Sequence, residues 1–285
     1  MQDEGGTQVR AWVEYFRDLG VHDFYRRGEP VPQAACEAGD GPATMNAAVV
    51  SGGYFSGDTT STPPIAETIF MPQPARLISF NDLEPIPEAS IPAAEREAAL
   101  RAIEEEIGDC TRCPLAYAGR RKIVFGDGAA SARLMFVGEG PGADEDAQGL
   151  PFVGKAGQLL NNMIGAMGLQ RAEVYIANIV KCRPPGNRVP EPAEANTCAQ
   201  FLLRQIDVVR PEAIVALGAT AATYLLGVKQ SLGSLRGRWH NCRGAKLAVT
   251  YHPAFLLRDP RQKAEAWKDL QMVMRELGLT PPARK

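Results

Sequence analysis

The sequence lacks several features that would place it in other classes of protein. It has no apolar run of about 18 residues, the length that crosses a membrane as a helix. Its first residues lack the basic and apolar regions of a secretory signal peptide. The P-loop signature and the six-residue dinucleotide fingerprint are both absent. We therefore expect a cytoplasmic protein that neither enters the membrane nor binds nucleotides through these two motifs.

The charge is nearly balanced over the whole chain but unevenly distributed along it. The 285 residues carry a formal net charge of −2. Residues 1–109 hold 7 Lys and Arg against 19 Asp and Glu, whereas residues 110–285 hold 24 against 14. A basic domain that follows an acidic leader favours a polyanionic partner for the domain. The alternative interpretation of this charge distribution is that the charged residues are scattered over the surface and only solvated.

The first part of the chain indicates a leader without a core of its own. Residues 9–27 have apolar side chains at roughly helical spacing, which is compatible with a short amphipathic helix. Residues 28–90 are rich in Pro, Gly, Ala, Ser and Thr and poor in large apolar side chains. Such a stretch buries too little surface to offset its ordering entropy, so we predict a largely disordered linker. The leader therefore covers residues 1–90 and the folded domain residues 91–285.

Strands and helices alternate in the folded domain, which predicts an α/β protein with a small four-stranded parallel sheet. The strands are short and apolar, as expected when helices cover both faces. Ligands of such sheets bind in the crevice at the carboxyl ends of the strands. The four predicted strands lie near residues 133–138, 174–180, 213–218 and 246–251. The predicted helices lie near residues 92–107, 154–167, 191–209, 219–227 and 261–277.

Glycines and polar side chains follow the first two predicted strands. Gly138, Gly140 and Gly142 come after the first strand, and their amides can approach a ligand closely. Glu139 stands between them. Asn178 ends the second strand and carries both a donor and an acceptor, which match a pyrimidine edge. Each group also has a structural interpretation, as part of a tight turn.

Further candidates come from two other loops. Phe152 lies between two glycine-containing segments and is either a core residue or a stacking platform for a base. His252 ends the last strand, and a neutral imidazole can donate a hydrogen bond to a developing oxyanion. Leu256, Leu257 and Arg258 follow it. This pattern suits a wedge and a phosphate clamp, unless the leucines pack into the core.

Four of the six cysteines are candidate ligands. Cys110 and Cys113 form a Cys-x2-Cys pair, and Cys182 and Cys198 follow the second predicted strand. Four thiolates can hold a tetrahedral zinc ion or an iron–sulfur cluster. The spacing does not separate the two, although the lack of a second Cys-x2-Cys pair favours the cluster. Four unrelated cysteines are the remaining alternative.

Taken together, these motifs resemble the family 4 uracil-DNA glycosylases over roughly residues 95–277. The resemblance implies a three-layer α/β/α fold and a [4Fe–4S] cluster on the four cysteines named above. It also implies that the protein flips uracil out of DNA and hydrolyses its N-glycosidic bond, leaving an abasic site. The motifs that carry the resemblance are the four cysteines and residues 138–142, 149–157, 178–185 and 252–258.

The resemblance implies a role for each residue of the base site. Phe152 stacks on the flipped base and Asn178 reads its edge. Amides near Gly140 to Gly142 bind a uracil oxygen, and His252 faces O2, where negative charge collects as the bond breaks.

Two departures from related families bear on the mechanism. Family 1 enzymes have an aspartate where this chain has Gly140, so Glu139 is the nearest carboxylate. We expect Glu139 to position water or to stabilise the cationic sugar. Relatives that trap DNA carry a Lys-Arg-Arg-Ile-His loop after the second strand. Here residues 184–190 read differently, so we expect ordinary turnover.

Contacts with DNA are expected from basic and apolar side chains around the same crevice. Lys155, Lys181 and Arg258 are predicted to contact phosphates, and Lys155 starts a predicted helix whose amides favour anions. Leu256 or Leu257 is predicted to fill the gap left by the flipped nucleotide.

The predicted partner is uracil-containing DNA, bound by a monomer associated with the nucleoid. The leader is a weaker candidate for contact with a polymerase or a sliding clamp. Two rival functions stay open at this point. A non-catalytic iron–sulfur DNA-binding module, associated with a polymerase or repair complex, would need neither Asn178 nor His252. A small-molecule α/β enzyme would not need the leucines or the basic domain.

Overall fold

A mixed six-stranded sheet forms the centre of the computed structural model, which describes residues 77–281. The strands lie side by side in the order β1-β3-β2-β4-β6-β5. Their bounds are β1 (Asp127–Gly128), β2 (Leu134–Gly138), β3 (Tyr175–Asn178), β4 (Ala213–Leu217), β5 (His240–Cys242) and β6 (Ala245–Thr250).

Helices precede and connect these strands. The bounds of the α-helices are α1 (Phe80–Leu83), α2 (Arg96–Ile107), α3 (Ala143–Gln148), α4 (Lys155–Ala166), α5 (Pro192–Val209), α6 (Ala219–Leu226), α7 (Leu232–Leu235), α8 (Pro253–Arg258) and α9 (Lys263–Leu277). Short 3₁₀ turns lie at Pro114–Tyr117, Arg171–Glu173, Pro185–Asn187 and Pro260–Gln262.

The predicted four-stranded parallel sheet is only part of the observed one. The strands β3, β2, β4 and β6 are parallel, as the sequence indicates. Two further strands, β1 and β5, pair antiparallel with β3 and β6 at the two edges. They have 2 and 3 residues, too few to show the alternation that identifies a strand in a sequence.

The sheet separates two hydrophobic cores, which gives three layers. Along β2, Met135 and Val137 face one core, whereas Leu134 and Phe136 face the other. Helices α2, α5, α6 and α7 contribute buried side chains to the first core, and α4 and α9 contribute to the second. Successive strand residues point to opposite faces. A strand with helices on both sides must therefore be apolar throughout, which explains the continuous apolar runs in the sequence.

Part of the predicted linker packs on the domain. In residues 77–90, Phe80 of helix α1 is only 1% exposed. The buried guanidinium of Arg243 donates to the carbonyl oxygens of Phe80, Glu84 and Pro85 at 3.0, 2.8 and 3.1 Å. The folded region thus begins before the predicted boundary. Composition does not reveal it, because one aromatic ring and three carbonyl groups anchor the segment rather than an apolar pattern.

Other predictions fall on residues that lie outside the described region. These are the amphipathic helix at residues 9–27, the first part of the linker, and the leader's contact with a polymerase or clamp. Within residues 77–281, none of the helices is both long enough and apolar enough to span a bilayer.

The anchored segment generates a stability prediction. Replacing Phe80 with Ala should lower the free energy of unfolding by about 3 kcal/mol, because a buried aromatic ring leaves a cavity. Chemical denaturation of the full chain measures this change. Ile86→Ala is the matched control, since Ile86 lies in the same segment but is 45% exposed. Equal stabilities of the two variants would show that the segment contributes nothing to the fold.

Candidate active site

A cavity of about 490 Å³ lies at the carboxyl ends of the parallel strands. The four side chains predicted to surround a base, Glu139, Phe152, Asn178 and His252, all line it. They come from three different strand ends and one loop. The sheet topology therefore brings together residues that are up to 113 positions apart in the chain.

Gly138 makes this assembly possible. It is the last residue of β2 and lies beside Asn178 in the β2–β3 register. A methyl group at Gly138 would come within 2.4 Å of Asn178 Oδ1 and 2.6 Å of the Phe152 ring. Both distances are shorter than van der Waals contact. The absence of a side chain at this position thus allows the carboxamide and the aromatic ring to approach each other.

Asn178 carries an unused acceptor. Its side chain is 1% exposed, and its Oδ1 atom is buried without a hydrogen-bond partner. Leaving a buried acceptor unpaired destabilises the protein by about 1–3 kcal/mol, so such groups are uncommon and point to a ligand. Because Asn178 lines the cavity, a ligand with an N–H group there would satisfy this oxygen.

Phe152 is held in a strained conformation beside the histidine. Its φ of 51° lies in the left-handed region that bulky residues rarely adopt. Arg171 stabilises this turn by donating to the carbonyl oxygens of Pro151 at 2.6 Å and Phe152 at 3.1 Å. The Phe152 ring centre lies 5.6 Å from that of His252, with 33° between the planes. Sequence reasoning missed Arg171, since an arginine in a 3₁₀ turn carries no distinctive signal.

His252 is both a cavity residue and the N-cap of helix α8. Its Nδ1 atom accepts a hydrogen bond from the Ala254 amide at 3.1 Å. Burial, and after it the positive charge of Arg258, lower the pKa of the imidazole to about 4. The ring is therefore neutral at pH 7, and because Nδ1 accepts, the hydrogen resides on Nε2. Such a ring can donate to an oxyanion without carrying a charge of its own.

The glycine loop is tied to the Phe152 loop by a carboxylate. Glu145 accepts hydrogen bonds from the amides of Gly142 at 3.1 Å, Val153 at 2.9 Å and Gly154 at 3.0 Å. Of the amides near Gly140 to Gly142 that are predicted to bind a uracil oxygen, the Gly142 amide already donates to this carboxylate. Gly140 lines the cavity. Glu145 was not singled out from the sequence, although it lies between the two glycine motifs.

Two of the predicted DNA contacts are buried. Lys181 and Leu256 are each 1% exposed, so neither reaches a DNA backbone or a base stack. Lys181 follows β3 into the interior. Leu256 lies on the inner face of α8, a helix that the sequence reading treated as a loop, and this face packs against the domain. A six-residue helix is too short to show its periodicity.

The remaining predicted contacts stay at the surface. Leu257 is 43% exposed on the outer face of α8. Lys155 and Arg258 are exposed and line the cavity, as does Arg188, which the sequence reading did not single out. Arg188 also forms a bidentate ion pair with the buried Glu194, at 2.7 and 2.8 Å.

The four predicted cysteine ligands converge on one small pocket. Burial raises the pKa of Cys182, and the neighbouring Cys113 and Cys110 raise it further. Burial also raises the pKa of Cys198 to about 12, so its free thiol is protonated at neutral pH and metal binding must displace that proton. Within residues 77–281, no set of three Cys, His, Asp or Glu surrounds a point suited to a single metal ion.

Nitrogen donors surround this cysteine pocket. Arg120 donates to Cys182 Sγ at 3.4 Å, and Arg112 lies 3.6 Å from Cys110 Sγ. The Lys181 amide donates to Cys198 Sγ at 3.3 Å. Donors of this kind stabilise thiolate over thiol, because they favour the charged form.

Comparison with known proteins gives the family. The family model of the uracil DNA glycosylase superfamily matches residues 125–271, more than half of the chain. The chain belongs to this superfamily. A type-4 uracil-DNA glycosylase of Thermotoga maritima is 46% identical over 166 residues, which are 58% of this chain and 86% of the relative. One of Pyrobaculum aerophilum is 41% identical and covers 61% of this chain and 92% of its own length.

The type-4 branch of the superfamily is the better match. A type-5 uracil-DNA glycosylase of Pyrobaculum aerophilum is only 30% identical, over 51% of this chain and 78% of the relative. The candidate site residues Glu139, Phe152, Asn178 and His252 all lie within the residues that the family model matches, whereas Cys110 and Cys113 precede them.

The protonation state of His252 in this superfamily member is directly measurable. Nitrogen NMR of labelled protein should show a neutral ring with hydrogen on Nε2 at pH 7 and a titration midpoint near 4. The reason is that burial and Arg258 disfavour the imidazolium, so protonation requires a lower pH than usual. A His252→Gln variant assigns the signal. A midpoint near the ordinary value of about 6.5 would contradict the buried, neutral ring.

Proposed function

We propose that this protein is a monofunctional uracil-DNA glycosylase, which removes uracil from DNA and leaves an abasic site for repair. The observation that carries the proposal is the buried, unpaired oxygen of Asn178, a residue that lines one cavity together with Phe152 and the neutral His252. This combination supplies what excision of a flipped pyrimidine needs, namely a stacking surface, an edge reader and an oxyanion donor.

Recognition of uracil is assigned to Asn178 and Phe152. The free Oδ1 atom of Asn178 accepts from N3–H of uracil, while its amide donates to O4. Cytosine has an acceptor at N3 and a donor at N4, so it places like groups against the carboxamide. The Phe152 ring provides a stacking surface, typically worth about 1–3 kcal/mol for a base. Its left-handed turn and Arg171 fix the ring in place before the base arrives.

Bond cleavage is assigned to electrostatic stabilisation of the departing uracil. Negative charge develops at O2 as the glycosidic bond breaks, and the Nε2–H group of His252 is the donor available to it. Gly140 contributes a backbone that approaches the base closely. Glu139 remains our choice for positioning water or stabilising the cationic sugar, since it is the carboxylate at the end of β2.

Extrusion of the nucleotide is assigned to helix α8 and the basic groups at the cavity. Leu257 is the exposed wedge that fills the gap in the duplex, since Leu256 is buried. Lys155 and Arg258 neutralise phosphates on either side. Lys155 is the first residue of helix α4, whose free amides also favour an anion.

Cys110, Cys113, Cys182 and Cys198 are assigned as ligands of a [4Fe–4S] cluster. Their four side chains line one pocket, and four cysteine thiolates are the ligand set that holds a [4Fe–4S] cluster. When bound, the cluster would cross-link the segments that carry its four cysteine ligands, and its thiolates would carry negative charge. The ligands themselves join the loop after α2 to the end of β3 and to helix α5.

A non-catalytic DNA-binding module is the less favoured alternative, because it does not require Asn178 and His252 to line one cavity. The proposed partner is DNA that contains uracil. We retain the monomer and ordinary turnover as expectations.

The decisive experiment is strand cleavage at a single uracil after alkali treatment. The wild-type protein should convert a uracil-containing oligonucleotide into an alkali-labile product and leave a thymine control intact. His252→Ala should lower the rate by about a hundredfold, as expected when an oxyanion donor is removed. His240→Ala is the matched control outside the cavity. Wild-type protein without cleavage would refute the proposed function, and an unimpaired His252→Ala variant would remove His252 from it.

Asn178→Asp tests base reading. The carboxylate loses the donor for uracil O4 and gains an acceptor that suits the amino group of cytosine. We expect the ratio of uracil to cytosine excision rates to fall. Asn162→Asp, on the exposed side of α4, controls for the added charge. An unchanged ratio would show that Asn178 does not discriminate between the bases.

Cys182→Ser tests the cluster. The wild-type protein purified without air should contain iron and absorb broadly near about 400 nm, and the variant should lose both. Cys242→Ser is the control, because Cys242 is buried outside the cysteine pocket. A colourless, zinc-loaded wild-type protein would contradict the assignment.

A further inference from the structure

Lys181 is a charged residue in the interior that the proposed mechanism leaves without a role. Its side chain is 1% exposed, and its ammonium donates to the Asn178 carbonyl oxygen at 3.1 Å and to Gln205 Oε1 at 2.5 Å. Both of these acceptors are neutral. A buried charge is costly unless it is paired, so these contacts alone do not explain an ammonium group at this position.

The cysteine pocket provides the missing negative charge. Lys181 itself lines this pocket. It precedes Cys182 in the chain, and its amide donates to Cys198 Sγ at 3.3 Å. Bound thiolates carry negative charge, and in a low-dielectric interior their attraction to a nearby ammonium is strong. Metal-bound thiolates would therefore compensate the buried positive charge of Lys181.

The same ammonium group also contacts the backbone of Asn178, a residue of the base site. Asn178 and Lys181 lie at the two ends of the turn that follows β3, and the bond from Nζ to the Asn178 carbonyl closes that turn. Gln205 of helix α5 holds the ammonium, and its own amide donates to Phe125 O at 3.0 Å and the Tyr175 hydroxyl at 3.1 Å. This network joins the backbone of the base-reading residue to the elements around the cysteine pocket.

We propose that Lys181 is a positioning residue that couples the cysteine pocket to the base site. Its charge stabilises the bound thiolates, and its hydrogen bond fixes the backbone of Asn178, so that the carboxamide faces uracil. The assignment rests on the proposed reading of uracil by Asn178. It also replaces the prediction that Lys181 contacts a DNA phosphate.

Two variants separate the charge from the hydrogen bond. Lys181→Met keeps the length of the side chain and removes both functions, whereas Lys181→Gln keeps a neutral donor. Lys268→Met is the control, since Lys268 is exposed on α9 and lines neither the cavity nor the cysteine pocket. One readout is the lifetime of the visible absorbance in a chelator. The other is the ratio of dissociation constants for DNA containing 2′-fluoro-2′-deoxyuridine or 2′-fluoro-2′-deoxycytidine, which needs no catalysis.

Lys181→Met should shorten the lifetime of the absorbance and reduce the uridine preference by about tenfold, the effect of losing a charged hydrogen bond. Lys181→Gln should shorten the lifetime but retain most of the preference. Wild-type values of both quantities in Lys181→Met would overturn the proposal. A change in only one of them in that variant would equally overturn the coupling.

The readouts also separate this proposal from the proposed function. If the wild-type protein shows no uridine preference, the assigned base reading by Asn178 fails, and with it the coupling. If the wild-type preference is present and Lys181→Met retains it, only the role of Lys181 fails. Should Lys181→Met not fold, the absorbance lifetime of Lys181→Gln decides whether the charge acts on the cysteine pocket.

Discussion

The close approach of chain segments at the end of β2 is the constraint on which the base site depends. Gly138 lies between the Asn178 carboxamide and the Phe152 ring, and any side chain there would overlap both. Parallel pairing of β2 with β3 places Gly138 next to Asn178, while the loop after α3 brings Phe152 across them. The cavity therefore forms where three segments meet around a missing side chain.

Charged side chains hold the loops in position around this point. Glu145 accepts from three backbone amides and thereby joins the glycine loop to the Phe152 loop. Arg171 donates to two carbonyl oxygens on the other side of Phe152. Both use charge-assisted hydrogen bonds, which are stronger than neutral ones. The loops are thus organised before a ligand binds, which is what electrostatic catalysis requires.

The site combines an uncharged hydrogen-bond donor, His252, with an unpaired acceptor, Asn178. Burial and Arg258 keep the His252 ring uncharged, and the hydrogen bond from the Ala254 amide to Nδ1 leaves the ring hydrogen on Nε2. The unpaired oxygen of Asn178 is the opposite case, an acceptor left free. One donor and one acceptor, held at the carboxyl ends of different strands, provide a pattern that a pyrimidine can match. This complementarity, rather than cavity size alone, supports the assignment to uracil.

The sequence alone determined the main features of the protein. Apolar runs between helical stretches specify the four parallel strands, because a strand covered on both faces needs apolar residues throughout. The motifs at two strand ends name Asn178 and His252, and the glycine-containing loop before α4 names Phe152. Tertiary structure decided the rest. It buries Lys181 and Leu256, engages the Gly142 amide, adds two edge strands and anchors Phe80. A sequence shows which residues are adjacent to a motif, but the direction in which each side chain points follows from the packing of segments distant in the chain.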